Sequence, residues 1–235
     1  MKETRMVTIN NREIPILISD EREALLAAKA AGGAIVGLWR PGMNMEELSG
    51  ARYAVEDPKD LTKEYLERVA RRHLGLPWKI CETRRLLIRE LFGDDFDKLW
   101  GHRIGRGFQT VEELYAYTKN QYTFYEFGFW AVVEKRTGIL AGVAGLTIPG
   151  EDGGGDSETE TLFLSAEEEN QGETETLELG YHIFPDFRRK GYGRESCEAI
   201  LRYGREELLA GDFLVRIRKG NEASKRLAEG LGFHI

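Results

Sequence analysis

Two cysteines, Cys81 and Cys197, are all that 235 residues contain, too few and too far apart for a disulfide framework or a cysteine metal site. No stretch approaches the roughly eighteen apolar residues of a membrane helix, and Met1-Lys2-Glu3-Thr4-Arg5 leads into no apolar export signal. These absences predict a soluble protein of the reducing cytoplasm with no membrane partner. The four histidines (His73, His102, His182 and His234) have no ligand spacing with one another or with the cysteines, so no metal is expected. Lysine and arginine are missing between Arg136 and Arg188, where acids recur from Glu151 to Glu178. That block reads as a solvated loop. With a formal net charge of -7, it argues against nucleic acid as a partner.

What is present is ordinary globular composition, 41% hydrophobic and 31% charged, with length enough for two domains. Residues 14 to 18 and 34 to 38 are apolar runs of strand length. Tyr53 to Val55 is a third short strand. An Ala-rich helix from Glu21 to Ala31, which Asp20 could cap, stops at Gly32-Gly33, and a second helix covers Leu61 to Leu74. Alternating strands and helices predict a small parallel α/β unit over residues 1–80. Gly75-Leu76-Pro77-Trp78 marks its end. Residues 81–235 predict a second domain. It has a strand at Leu86-Leu87-Ile88, helices starting near Asp94-Asp95 and over Val111 to Thr118, and an antiparallel hairpin from Phe127 to Val133 and Ile139 to Ile148. Within the acidic loop, Thr161-Leu162-Phe163-Leu164 is an apolar island fit for an extra strand. A strand from Thr176 to Phe184, a helix from Gly193 to Leu209, a strand from Phe213 to Ile217 and a helix from Glu222 to Gly230 follow.

The chemistry concentrates where the strand ending at Phe184 passes through Arg188-Arg189-Lys190-Gly191-Tyr192-Gly193 into a helix beginning near Arg194. Such a turn gathers free backbone N–H groups at the positive end of a helix dipole, which suits a diphosphate. Glycines at 191 and 193 admit positive φ and close approach of ligand oxygens. Arg188, Arg189, Lys190 and Arg194 add positive charge. A lone Gly-x-Gly is a weak signal, and neither a three-glycine nucleotide fingerprint nor a Gly-Lys-Ser/Thr loop is present.

In this setting Arg188-x-x-Gly191-x-Gly193 resembles the Gln/Arg-x-x-Gly-x-Gly/Ala signature of the GNAT acetyltransferases. Glu178-Leu179-Gly180-Tyr181 before it is similar to the Glu-x-Gly-Tyr run of the RimJ/RimL-like branch, and Thr83 to Glu90 to that branch's opening strand. Asn221-Glu222-Ala223-Ser224 and Leu231-Gly232-Phe233 resemble marks that follow the fifth strand. The resemblance spans residues 81–235. It implies an α/β (α+β) fold with a mixed, mostly antiparallel sheet flanked by helices. It also implies acetyl-coenzyme A as cosubstrate, and direct attack by a primary amine of a small molecule or peptide amino terminus in a ternary complex. By the same resemblance, Glu178 would deprotonate the amine, N–H groups near Ile183 would polarise the thioester carbonyl, and Asn221 and Ser224 would touch the cofactor arm.

Two departures stand out. Many family members carry a tyrosine acid one residue after the leucine of the final helix, but here Ala228 follows Leu227. The sequence also stops at Ile235, where relatives continue into a last strand, so either another segment or subunit supplies that strand or it is lacking. An unpaired edge there would favour a homodimer. These departures leave a non-catalytic acyl-coenzyme A sensor as the alternative. Residues 16 to 62 resemble the carboxyl-terminal part of haloacid-dehalogenase-like phosphatases, without the Asp-x-Asp nucleophile, so phosphatase activity is not expected from them.

Overall fold

The computed structural model describes residues 1–101, 108–150, 158–165 and 175–235. The chain divides into two compact units, Met1–Trp78 and Lys79–Ile235. Of the acidic stretch, Glu151, Asp152, Asp156, Glu167, Glu168, Glu169 and Glu173 lie outside the described residues.

In the first unit a hairpin precedes the parallel strands. β1 (Lys2–Ile9) pairs antiparallel with β2 (Arg12–Ser19), Ile9 standing opposite Arg12. The two residues between them, Asn10 and Asn11, both have positive φ (49° and 62°). This is the geometry of the tight hairpin turn whose twist matches its strands. The sequence reading missed β1, because its residues alternate in exposure and form no apolar run. From β2 the chain passes through α1 (Arg22–Ala30) to β3 (Ala34–Leu38) and on to β4 (Ala54–Val55), both parallel. α2 (Lys63–His73) packs Leu66, Val69 and Ala70 into a core with Ile16, Ile18 and Val36. Asp20 does not cap α1. The cap position is Glu21, with no side-chain bond, and the Asp20 carboxylate instead pairs with Arg40 Nε (2.9 Å) and the terminal amine. An ionised carboxylate gains more from two cations than from one neutral N–H.

Among the described residues the second unit forms a seven-stranded sheet of mixed, mostly antiparallel pairing flanked by helices, as expected of this fold. Its strands are β5 (Lys79–Glu82), β6 (Leu86–Glu90), β7 (Phe129–Glu134), β8 (Ile139–Thr147), β9 (Thr159–Leu164), β10 (Thr176–Ile183) and β11 (Asp212–Arg218). Their order is β5-β6-β7-β8-β10-β11-β9. Among the described residues every pairing in this sheet is antiparallel except β10 with β11. α3 (Phe96–Gly101) and α4 (Val111–Phe124) serve one face through Leu99 and Leu114, packed with Val143 and Phe184. α5 (Tyr192–Glu206) and α6 (Glu222–Gly230) serve the other through Cys197, Ile200, Leu201 and Ala228, packed with Leu177 and Leu179. α4 runs six residues past the expected Thr118, since Tyr122 buries completely and donates its hydroxyl to Phe129 O at 2.5 Å.

The apolar island in the acidic loop is β9, and of the alternatives left open for the strand beside β11, another segment of the chain supplies it. β9 lies antiparallel along β11 from Phe213↔Leu164 to Arg218↔Thr159. Leu162 buries to 1% exposure, and that burial stabilises the strand despite its acidic surroundings. Phe163 then bonds His234 in both directions (2.7 and 2.9 Å). Another segment of the chain thus covers β11, and an open β11 edge no longer argues for a homodimer.

Candidate functional site

β10 and β11 begin as neighbours and then part. They pair only at Thr176↔Asp212, Leu177↔Phe213 and Glu178↔Leu214. Beyond Glu178, β10 stays with β8 as far as Ile183, and β11 stays with β9 as far as Arg218. The inner edge of β10 therefore loses its partner. Two bonds fix the direction of its peptide groups. Phe184 N–H donates to Ala141 O on the β8 side (2.9 Å), while Leu146, opposite Leu179, donates its own N–H to Gly128 O (3.2 Å). Because the facing of peptide groups alternates along an antiparallel ladder, Leu179, Tyr181 and Ile183 turn theirs into the fork.

β10 leads to the N-terminus of α5. Arg189 (φ 59°) and Gly191 (φ 79°) are both left-handed in this turn. Gly191 is the cap residue and supplies no side chain, and the first helical bond runs from Glu195 N–H to Gly191 O (3.0 Å). The N–H groups of Tyr192, Gly193 and Arg194 stand ahead of that ladder, at the positive end of the dipole. In contrast, α2, α4 and α6 are closed by side-chain caps from Thr62, Thr110 and Asn221. A Cβ on Gly193 would sit 3.6 Å from Ile183 Cγ1 and 3.3 Å from Leu227 Cδ2, so the turn, the end of β10 and α6 are immediate neighbours.

The expected site residues divide by what their side chains do. Arg188, Arg189 and Lys190 are exposed. Arg188 Nε donates to Ile183 O (2.9 Å), and the Lys190 ammonium lies 4.9 Å from the Phe187 ring centroid. Arg194 is held by Glu198 (2.7 Å) and Gly230 O (3.1 Å). The Tyr192 ring is 6% exposed, and its hydroxyl donates to Glu134 Oε1 (2.5 Å). That bond pushes the tyrosine pKa up, and bonds from Thr137 and Tyr192 hold Glu134 below the ordinary value. Tyr192 and Arg194 thus offer backbone N–H groups, their side chains being occupied. Asn221 Oδ1 accepts from Ser224 N–H (3.3 Å), and Ser224 O accepts the Tyr181 hydroxyl (3.0 Å). Burial drives the Tyr181 pKa up to about 12.

Glu178 is the last residue of β10 to pair with β11, and Arg216 Nη1 holds its Oε2 at 2.8 Å. This ion pair spans the mouth of the fork. Alternation along the strand places Glu178, Gly180 and His182 on the face of α3 and α4. Gly180 leaves room there for the Phe129 ring, whose carbons lie 2.6 Å from where a Cβ would stand. Sequence reasoning missed Thr83, Arg85, Glu134 and Glu195, which support the turn from beneath. The Thr83-x-Arg85 pair was visible in the opening strand, but nothing in its spacing points to a partner 110 residues away.

The Acetyltransferase (GNAT) domain family matches residues 85–234, which include the whole fork and turn. This chain belongs to the GNAT acetyltransferase family. A curated relative, the uncharacterized protein YkkB of Bacillus subtilis (strain 168), is 30% identical over 110 residues. The match covers 47% of this chain and 52% of YkkB, so this GNAT chain spans about half the length of that relative. Among solved structures, a putative ribosomal-protein-serine acetyltransferase from Vibrio cholerae aligns over 66% of this chain and 82% of its own, at 18% identity and a TM-score of 0.47. The spermidine/spermine N-acetyltransferase SpeG from Vibrio cholerae aligns over 63% and 77%, at 16% identity and a TM-score of 0.45. The family match begins at residue 85, so the phosphatase resemblance of residues 16 to 62 gains no support from it. No helix among the described residues is long and apolar enough to cross a membrane.

Proposed function

We propose that this GNAT chain, as a member of the RimJ/RimL-like branch, transfers the acetyl group of acetyl-coenzyme A to a primary amine of a small molecule or a peptide amino terminus. The observation that carries the proposal is the fork, an unpaired strand edge that leads to an uncapped helix N-terminus. An extended pantetheine arm can bond the free edge of β10 as an added strand would. The diphosphate then meets the N–H groups of Tyr192, Gly193 and Arg194, with Arg188, Arg189 and Lys190 around it and Asn221 and Ser224 beside the arm. The Ile183 N–H polarises the thioester carbonyl. Glu178, oriented by Arg216, accepts the first amine proton through water; the free amine attacks the carbonyl carbon, the C–S bond breaks, and the nitrogen's remaining surplus proton passes to the departing thiolate, which leaves as coenzyme A thiol.

The cysteines support direct transfer over an acyl-enzyme. Burial raises Cys81 to about 11 and Cys197 to about 12, so neither is a thiolate at neutral pH. One observation favours the sensor reading: the position after Leu227, where many family members carry a tyrosine acid, holds Ala228. The test is calorimetric titration with acetyl-coenzyme A, followed by thiol release across an amine panel. Replacing Gly191 and Gly193 with valine is expected to abolish binding, and unchanged affinity would remove the basis of both readings. Binding without thiol release on any amine favours the sensor. For the enzyme, Glu178→Gln lowers kcat by about a hundredfold with the affinity for acetyl-coenzyme A retained.

A further inference from the structure

Building on the cofactor reading above, we propose that Arg85 is a positioning residue that holds the Arg188 to Gly193 turn in its ligand-binding shape, with Glu195, itself bonded by Thr83, fixing its guanidinium. Arg85 stands immediately before β6 and reaches the turn from below. Its Nη1 donates to Lys190 O at 2.8 Å. Its Nε and Nη2 meet Glu195 Oε2 at 2.6 and 2.5 Å. The other oxygen, Glu195 Oε1, takes the Thr83 hydroxyl (2.5 Å) and the Arg85 N–H (3.0 Å). The guanidinium carbon lies 4.8 Å from the Tyr192 ring centroid.

The gripped carbonyl belongs to the residue between Arg189 and Gly191, the two left-handed positions of the turn. Arg189 has a Cβ and pays for that conformation, so something outside the turn must hold it there. Arg85 is placed to do so. Its Nη2 would lie 3.2 Å from a Cβ on Gly191, which gives that glycine a second reason besides its φ of 79°. Glu195 neutralises the guanidinium locally, so the contribution of Arg85 is shape more than charge. Lysine cannot bridge a carboxylate and a carbonyl with the same planar fork.

The experiment titrates the full chain by calorimetry with coenzyme A and, separately, with pantetheine, which lacks the diphosphate. Failure of the unaltered chain to bind coenzyme A would sink the cofactor reading, and this inference with it. Given binding, Arg85→Ala and Arg85→Lys are each expected to weaken coenzyme A about tenfold, the loss of one charge-assisted bond. Pantetheine should shift by less than about twofold. Glu195→Gln, which leaves Arg85 unanchored, should follow Arg85→Lys and keeps the test open if Arg85→Ala does not fold. Full affinity in Arg85→Lys, or an equal loss for both ligands, overturns the proposal: the first would mean that charge suffices, the second that the fault is general.

Discussion

Glu195 sits in the first turn of α5, and opposing forces act on its carboxyl. Burial raises its pKa, but bonds from Thr83 and Arg85 outweigh burial and hold it below the ordinary value of 4.5. A carboxyl depressed in the folded state adds stability that is complete above the unfolded pKa and is lost as pH falls toward the folded one. The chain is therefore expected to lose stability as pH drops below about 4.5, and Glu195→Gln should flatten that part of the profile, as read from urea midpoints between pH 3 and 7. An unchanged slope would assign the acid sensitivity to other carboxylates. At this scale the sequence was legible where partners are neighbours. Gly191 and Arg188 lie within one turn and could be read as a unit. The Arg85 and Glu195 pair could not, because only the folded sheet brings those residues together.

Among the elements, α5 and α6 were readable from their apolar stripes, and β8 from its unbroken apolar run. β1 was not, since a half-exposed edge strand has no such run, and its signal was the Asn10-Asn11 turn. β9 was legible only as an apolar island, because the choice between loop and strand depends on whether β11 has a free edge to offer. Its Leu162, 1% exposed, packs in the same core as Phe213 and Val215. The surrounding acids therefore say little about its energetic weight. Leu162→Ala is expected to destabilise the chain by about 3 kcal/mol through lost burial and a residual cavity. Urea denaturation measures this, and a change below about 0.5 kcal/mol would mean that β9 is held by backbone pairing alone. The ion pair from Lys225 on α6 to Glu160 on β9 (2.9 Å) ties the strand to the helix beside the fork. β9 thus supports the site as well as the sheet edge.

For the whole molecule, the question is whether two units mean two independent folding problems. Among the described residues the buried clusters answer in composition: one draws on residues of Met1–Trp78, and two others on Lys79–Ile235. A unit with its own core and a closed set of strand pairings meets the physical requirement for folding alone. Every residue proposed for the cofactor, from Ile183 to Ser224, lies in the second unit, as do the proposed base Glu178 and the supporting Thr83, Arg85 and Glu134. Residues 79–235 expressed alone are therefore expected to unfold cooperatively and to bind coenzyme A within about twofold of the full chain's affinity, a difference of less than about 0.5 kcal/mol. Calorimetry on both proteins checks this. If the fragment folds but binds tenfold more weakly, the first unit contributes to the cofactor site. Equal affinity would confine the first unit's contribution to the acceptor or to a partner, and turnover measured on fragment and full chain with the same amine separates those two.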